Sequence, residues 1–295
     1  MLWTFFKYHG CGNDFILIDN RGKRFLKPGP SLVSRLCHRQ FGIGADGLIL
    51  LENSTQADFG MRIFNADGTE AEMCGNGIRC LKRLIETLGF TKTPCTISTL
   101  RSILQLTCRG DQIAVDMGTV SDVRWNIPLS LNGRSYTGHY LNTGVPHLVI
   151  FVEDLELVPV LVDGAALRHH SLFQPQGVNV NFAACSKNHS HCEWSYRTYE
   201  RGVEGETLAC GTGATAVALA LMAIEGVRAP ISLKTRSGDS LEIDVPDGLG
   251  IQLCGPATFV FQGTVEIDDH FLYYSEMQSA NIQDQCGKME HAYVD

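Results

Sequence analysis

Two short stretches hold the residues best suited to chemistry. Met73-Cys74-Gly75-Asn76-Gly77 leads into an apolar-striped run over residues 78–88, closed by Gly89. Ala209-Cys210-Gly211-Thr212-Gly213 leads into the almost wholly apolar run 214–225, closed by Gly226. Both read C-G-x-G and then helix, since Ala, Leu and Met favour helices and Gly just past the last turn ends them. The first turn of a helix presents backbone N–H groups with no intrahelical acceptor, and glycines let these approach an anion such as a carboxylate. A cysteine at that place has its thiolate favoured by the same field. One such turn is weak evidence; two with the cysteine at the same point are strong. If the two thiols face each other, one as thiolate removes a proton from one face of a carbon and the other as thiol delivers one to the opposite face, inverting a stereocentre. An amino-acid α-hydrogen is a very weak acid, and helix dipoles supply only ~0.3–1 kcal/mol each, up to ~2 when partly buried. The larger requirement is a dry cavity whose fixed donors stabilise the developing negative charge.

The elements that must position these thiols follow a repeated grammar. In the first helix Ile78, Leu81, Leu84, Ile85 and Leu88 share one face, with Arg79, Lys82, Arg83 and Glu86 on the other. The second helix is apolar on every side and is expected to be buried all round. Strands are expected over residues 4–9, 15–18, 48–51 and 61–65 before the first helix, and over 148–152 and 193–199 before the second, with glycine- and asparagine-rich turns between them. Ser31 is placed to cap a short helix over 32–39. Strands over 96–99, 103–108 and 113–117 follow the first helix, and strands over 231–234, 241–245, 250–254 and 258–265 follow the second. Gly12 and Gly144 stand 132 residues apart and Cys74 and Cys210 stand 136 apart, so two structurally similar halves are expected. Their boundary is placed in 119–129, where Asp122, Asn126 and Pro128 interrupt the pattern. This divides the chain into a first half, residues 1–121, a second half, 122–256, and a tail, 268–295, that shows no apolar period and reads as a surface segment.

The 295 residues are 44% hydrophobic and 19% charged, as in soluble globular proteins, and carry a formal charge of −8. That charge argues against nucleic acid or an anionic membrane surface as partner. No apolar run reaches membrane-spanning length, and the N-terminus lacks the pattern of a signal peptide. Eleven cysteines without an export signal point to reduced thiols in a cytoplasmic protein.

Six segments carry a resemblance: FxKxHGxGNDF (5–15), GIGADG (42–47), RIFNADGTEAEMCGNGIRC (62–80), GVPH (144–147), GVNVNF (177–182) and YERGVEGETLACGTGA (199–214). These resemble the diaminopimelate epimerase family, cofactor-independent racemases of lysine and cell-wall precursor biosynthesis that interconvert LL- and meso-diaminopimelate. The resemblance runs from about residue 5 to 265. It implies an α/β fold of two pseudo-symmetric halves, each a mixed sheet curled around a central helix, with the active site in the cleft between them. It also implies that a final strand near 257–267 returns to the first half.

Carried over by motif, Cys74 and Cys210 resemble the acid–base pair, and His147 and Glu200 the groups that tune or relay protons to them. Asn13, Asn65 and Asn179 match substrate-binding positions, as do Gly75, Asn76, Gly211 and Thr212 through their backbone N–H groups. Glu200 and Arg201 match a Glu-Arg pair whose arginine clamps the distal carboxylate as a bidentate fork. The resemblance implies no cofactor and no metal; the partner is a small molecule, and a homodimer is left open. Two departures concern specificity. Val145 stands where the family commonly has Asn, and Gly47 near where it commonly has Gln, so two polar groups around the substrate are missing.

The remaining features have plainer readings. Cysteines other than Cys74 and Cys210 read as small buried hydrophobes, with Cys11, beside Asn13, the first exception to consider. Cys185, His189, His191 and Cys192 can be drawn as a zinc site, but in a Ser/Lys/Asn-rich stretch a solvated loop is the better reading. A nucleotide-binding module would carry G-x-G-x-x-G after a strand or G-x-x-x-x-G-K-[ST], and neither is present. A thiol-redox protein would carry C-x-x-C, also absent. Within the enzyme class the alternative is a related racemase of proline, hydroxyproline or glutamate; Arg201 and Asn65 favour a substrate with a second polar end.

Overall fold

The computed structural model describes residues 2–22, 28–131, 133–188, 191–248 and 250–267; the 268–295 tail lies outside them. The first half runs β1 (Leu2–Gly10), β2 (Asn13–Asp19), α1 (Pro30–Cys37), β3 (Gly47–Glu52), β4 (Phe59–Asn65), β5 (Glu70–Ala71), α2 (Gly75–Thr87), β6 (Cys95–Ser98), β7 (Ile103–Arg109) and β8 (Gln112–Asp116). The second runs β9 (Ser121–Leu131), β10 (Arg134–Asn142), β11 (Pro146–Phe151), α3 (Val160–Arg168), β12 (Asn179–Asn188), β13 (His191–Glu200), β14 (Gly205–Thr207) and α4 (Gly211–Ala220). It continues through a π-helical turn (Leu221–Glu225), β15 (Ile231–Lys234), β16 (Ser240–Asp244) and β17 (Gln252–Gly255); β18 (Thr258–Glu266) ends the described chain.

The pairings repeat with the same sense in both halves. β1–β2 and β10–β11 are antiparallel, β2–β3 and β11–β12 parallel, β3–β4 and β12–β13 antiparallel, and β4–β6 and β13–β15 parallel. The outer partner of β1 is β18, and that of β10 is β9. The last strand of the chain therefore occupies in the first half the place that β9 occupies in the second. Antiparallel pairing of β8 with β17 joins the halves. This is the mixed α/β architecture of two like halves expected from the motif spacing.

Each sheet curls around its own helix. α2 packs Ile78, Leu81, Leu84 and Ile85 against Ile49, Met61, Ile63, Leu106 and Val115. α4 buries Ala214, Ala216, Val217, Ala218 and Ala220 among Val149, Ala183, Leu233, Ile243 and Leu253. Small side chains on all sides let α4 be wrapped on every face, as its unbroken apolar composition implies. The chain leaves the π turn at Gly226, where φ is +68°, a left-handed conformation that glycine adopts without steric penalty.

Several expectations change. Ser31 does not cap α1: the N-cap is Gly29, without a side-chain cap, and Pro30 fills the first turn, where its missing N–H is not needed. The interrupted stretch 119–129 is largely strand β9. Its register against β10 slips twice, between Gly138 and Tyr140 and between Tyr140 and Asn142, opposite Asn126 and Asp122, whose φ values are +56° and +45°. The pattern breaks are bulges that bend a continuing strand. Helix α3 has no counterpart in the sequence reading; it holds Asp163 buried beneath Arg134 and the Tyr136 hydroxyl. Arg79 and Lys82, assigned to the outer face of α2, are fully buried: the Arg79 guanidinium lies against Gly255 at the end of β17 and donates to the Pro256 carbonyl, and Lys82 pairs with Glu86.

Cys185 and Cys192 form a disulfide, against the expectation of reduced thiols throughout. They lie diagonally across the β12–β13 ladder with Cα atoms 5.5 Å apart, within the usual span for a bridge. The stretch drawn either as a zinc site or as a loop is thus part of a hairpin, and its two cysteines are bonded to each other; His189 lies outside the described residues. Among the described residues no cluster of three or more His, Cys, Asp or Glu side chains has metal-binding geometry, and no helix is long and apolar enough to cross a membrane.

Candidate active site

The starts of β2 and β12, the ends of β4 and β13 and the first turns of α2 and α4 open onto a cavity of about 990 Å³ between the halves. Cys74 is the N-cap of α2 and Cys210 the N-cap of α4, both with extended backbone, and both thiols face this cavity. The Cys74 Sγ accepts from the Gly77 N–H at 3.4 Å, while its own S–H points at Asn13 Oδ1, 3.7 Å away. The Cys210 Sγ lies 3.4 Å from the Thr212 hydroxyl. The peptide of Cys210 is held by the buried Tyr196 hydroxyl, which donates to its carbonyl at 2.9 Å and accepts from its N–H at 3.3 Å.

Glycines at both helix starts bring the backbone close to neighbouring side chains. A Cβ on Gly77 would stand 2.9 Å from Ile49 Cδ1, and one on Gly213 would stand 2.4 Å from Asn181 Oδ1. A side chain at either place would have to displace those neighbours. The backbone N–H groups of Gly75, Asn76, Gly211 and Thr212 occupy the first helical positions and line the same cavity. No acceptor within their own helix can reach them, which makes the pair of helix starts a cradle for an anion.

Burial dominates the titration of the site. It pushes both thiols above the usual cysteine range; backbone N–H groups act in the opposite direction, and the Glu200 carboxylate raises each further. Burial also raises Glu200 itself. A carboxylate that acts on both sulfurs at once couples the charge states of the two halves.

Asn65, Asn179, Glu200 and Arg201 line the cavity together with Asn13 and the two cysteines. Asn179 pins this wall: its Oδ1 accepts the Arg201 N–H at 2.8 Å and its Nδ2 donates to the Pro146 carbonyl at 3.0 Å. Of the catalytic and substrate-binding residues carried over by motif, His147 alone does not line the cavity. It is fully buried, and burial, with the nearby Arg201 charge, holds its imidazole down at about 3. Asn181 Oδ1 is occupied by the Thr198 hydroxyl at 2.8 Å, so its Nδ2 must donate to His147 Nδ1 at 3.1 Å. That leaves the proton of a neutral ring on Nε2, for which no partner exists among the described residues.

The two specificity departures separate. Val145 lines the cavity. Gly47 does not: it pairs with Asn65 on β4, and a Cβ there would lie 2.6 Å from the Phe64 carbonyl. No missing side chain at Gly47 contributes to the site, since none fits without moving β4. Its equivalent in the second half is Asn179, which pairs with His147 as Gly47 pairs with Phe15.

Sequence reasoning missed three supporting groups. Asp46 accepts from Asn13 Nδ2 at 2.8 Å and is gripped by Arg39 at 2.6 Å; this orients the Asn13 amide so that its oxygen meets Cys74. Its place inside the GIGADG segment was the available signal. Asn181 likewise lies inside the GVNVNF segment, whereas Tyr196 sits on an ordinary-looking strand position and gave no signal.

The diaminopimelate epimerase family description matches residues 5–123 and 139–260 of this chain. A diaminopimelate epimerase of Flavobacterium psychrophilum is 41% identical over 265 residues, covering 88% of this chain and 99% of that protein. The Aquifex aeolicus enzyme of the same name is 41% identical over 273 residues, with 88% and 96% covered. A Bacillus anthracis phenazine biosynthesis protein of the PhzF family superposes with a TM-score of 0.69 at 16% identity, covering 90% of this chain and all of that one. A hydroxyproline epimerase of Agrobacterium vitis, solved with bound trans-4-hydroxy-L-proline, gives 0.65 at 16%, with 90% and 92% covered. At such identities the two structures share only the fold. The sequence relatives carry more, and with a family match over most of its length this chain belongs to the diaminopimelate epimerase family.

Proposed function

We propose that the protein epimerises diaminopimelate between its LL and meso forms by two-base proton transfer at one α-carbon, with no cofactor, as a cytoplasmic step in making lysine and peptidoglycan precursors. The observation that carries this reading is the placement of Cys74 and Cys210, from opposite halves, at the N-caps of two helices whose free N–H groups face one cavity.

In the proposed reaction the reacting carboxylate sits between the first turns of α2 and α4, against the N–H groups of Gly75, Asn76, Gly211 and Thr212. One sulfur, as thiolate, takes the α-hydrogen and its C–H electron pair remains on carbon, delocalised into the carboxylate. The opposite S–H then gives its proton to the other face. Charge on the carboxylate grows as the C–H bond breaks, so fixed N–H donors favour this state over the ground state. At the end one thiol has become thiolate and the other has been re-protonated, so the reverse reaction uses the same groups with exchanged roles.

Arg201, tied to Asn179 and sharing the cavity with Asn65, is suited to hold the distal end of a substrate bearing a second carboxylate, which favours diaminopimelate over proline. Glu200 tunes both thiols by its charge. His147 acts from behind the wall, as a neutral ring holding the Asn181 amide against the start of α4. The test is to incubate the pure protein with LL-diaminopimelate in deuterated water. Meso product with deuterium at one α-carbon is expected; no incorporation would overturn the reading.

A further inference from the structure

Three arginines line the cavity: Arg39, Arg101 and Arg201. Arg39 is neutralised by Asp14 and Asp46, at 2.9 and 2.6 Å. The other two differ. Among the described residues neither has a carboxylate partner, and each guanidinium bonds only a backbone carbonyl. Arg201 belongs to the second half. Arg101 comes from the first, on the tight turn between β6 and β7, where the Thr99 hydroxyl accepts the N–H groups of Arg101 and Ser102 at 3.2 and 3.1 Å.

Arg101 meets the turn at 144–146 by its side chain, and Arg201 is tied to it by its backbone. Arg101 reaches across the cleft to the Gly144 carbonyl at 2.5 Å. Two residues on, the Pro146 carbonyl is held by Asn179, whose other amide atom holds the Arg201 backbone. Between them lies Val145, the lining position where the family commonly offers an asparagine amide. A carboxylate docked beside Val145 therefore finds no side-chain donor on the turn itself. At Gly144 it finds the Arg101 guanidinium, most of whose N–H groups are not engaged by protein, and it shares the cavity with Arg201 from the opposite half. A fork-shaped guanidinium is well matched to a carboxylate.

We propose that Arg101 is a second specificity-determining residue for the distal carboxylate, contributed by the first half, which clasps it together with Arg201. This rests on the reading that the substrate carries a distal carboxylate. In the free enzyme Arg101 is parked on the Gly144 carbonyl, and the substrate takes over N–H groups of the same guanidinium.

The test compares wild type, Arg101→Gln and Arg101→Lys in steady-state epimerisation of LL-diaminopimelate, with thermal melting as control. Arg101→Gln is expected to raise KM at least tenfold with kcat changed by less than threefold. Arg101→Lys should recover part of that loss, because the charge returns without the fork, and all three proteins should melt alike. A KM within twofold of wild type in Arg101→Gln would overturn the proposal, as would a fall in kcat at unchanged KM, which indicates a structural or closure role only. If wild type itself fails to epimerise diaminopimelate, the functional reading falls and the proposal with it; an active wild type with an indifferent Arg101→Gln removes this proposal alone.

Discussion

Asn76 and Ala209 lie in different halves of the molecule, 133 residues apart, and the Asn76 Nδ2 donates to the Ala209 carbonyl at 3.1 Å. Ala209 immediately precedes Cys210, and Asn76 follows Cys74 by two residues, so this bond sets one thiol-bearing turn against the other. The same Nδ2 also reaches Asn13 Oδ1 at 3.2 Å, and its Oδ1 accepts from buried Arg79 at 2.9 Å. Arg79 in turn grips the Gly75 and Pro256 carbonyls. The geometry of a two-base site depends on the separation of its two sulfurs, and here a side-chain amide spans the halves beside them.

Asn76→Ala is accordingly expected to do more than remove a helix-start residue. It leaves the Ala209 carbonyl and one Arg79 N–H unsatisfied in a buried place, a loss of about 1–3 kcal/mol for each such group. Urea unfolding should show a destabilisation in that range. In the fraction that stays folded, kcat/KM should fall at least tenfold because the two thiols are no longer held in register. Full activity in a folded Asn76→Ala protein would show that the strand pairing of β8 with β17 suffices.

Replacing either sulfur should stop the reaction without unfolding the chain. Cys74→Ala and Cys210→Ala each leave one face of the substrate without an acid or base, while both helices keep their packing. Turnover below a tenth of wild type is expected for each, with melting temperatures little changed. A variant that keeps more than a tenth would mean that two bases are not needed.

The depressed imidazole of His147 has a consequence for acid stability. Its pKa in the fold is about 3 against an ordinary 6.5, so below pH 6.5 the unfolded chain takes up a proton that the folded chain refuses. The contribution is fully present above pH 6.5 and is lost progressively as pH falls toward 3. By pH 4.5 wild type should have lost about 2–3 kcal/mol from this residue, and His147→Gln none. Urea unfolding at pH 7.5 and 4.5 checks it: the drop on acidification should be smaller in the variant. Equal drops would mean that the ring is protonated in the fold.

At the specificity positions, Val145→Asn should sharpen the preference for diaminopimelate over glutamate, and Gly47→Gln should not. Val145 lines the cavity, and a hydrogen bond to a charged group is worth roughly 1.5–3 kcal/mol, so the ratio of kcat/KM values should rise about tenfold or more. A side chain at Gly47 meets the Phe64 carbonyl, and overpacking of this kind destabilises by about 1–3 kcal/mol. Kinetics on the two substrates together with thermal melting separate these outcomes. An unchanged ratio in folded Val145→Asn would remove that position from recognition.

What was legible in the sequence is local in origin. A cysteine followed by spaced glycines and an apolar run dictates a helix whose N-cap is the thiol, because caps, propensity and glycine stops act over a few residues, and its recurrence at nearly constant spacing revealed the two halves. The all-apolar composition of α4 announced its burial for the same reason. What only the tertiary structure decided depends on which surface covers which. Helix periodicity placed Arg79 and Lys82 on a polar face, yet both are buried, and Arg79 serves as an internal tie to the Pro256 carbonyl. The signals at Asp122 and Asn126 looked like a linker because a bulge and a turn use the same left-handed residues; only pairing with β10 distinguishes them. Motif position put His147 in the site, but its strand register turns it behind the wall toward Asn181. Gly47 looked like a missing side chain until β4 was seen to run within contact distance of it. Arg101 carries no motif at all; its position over the cleft arises when two halves, folded by separate local rules, are brought face to face.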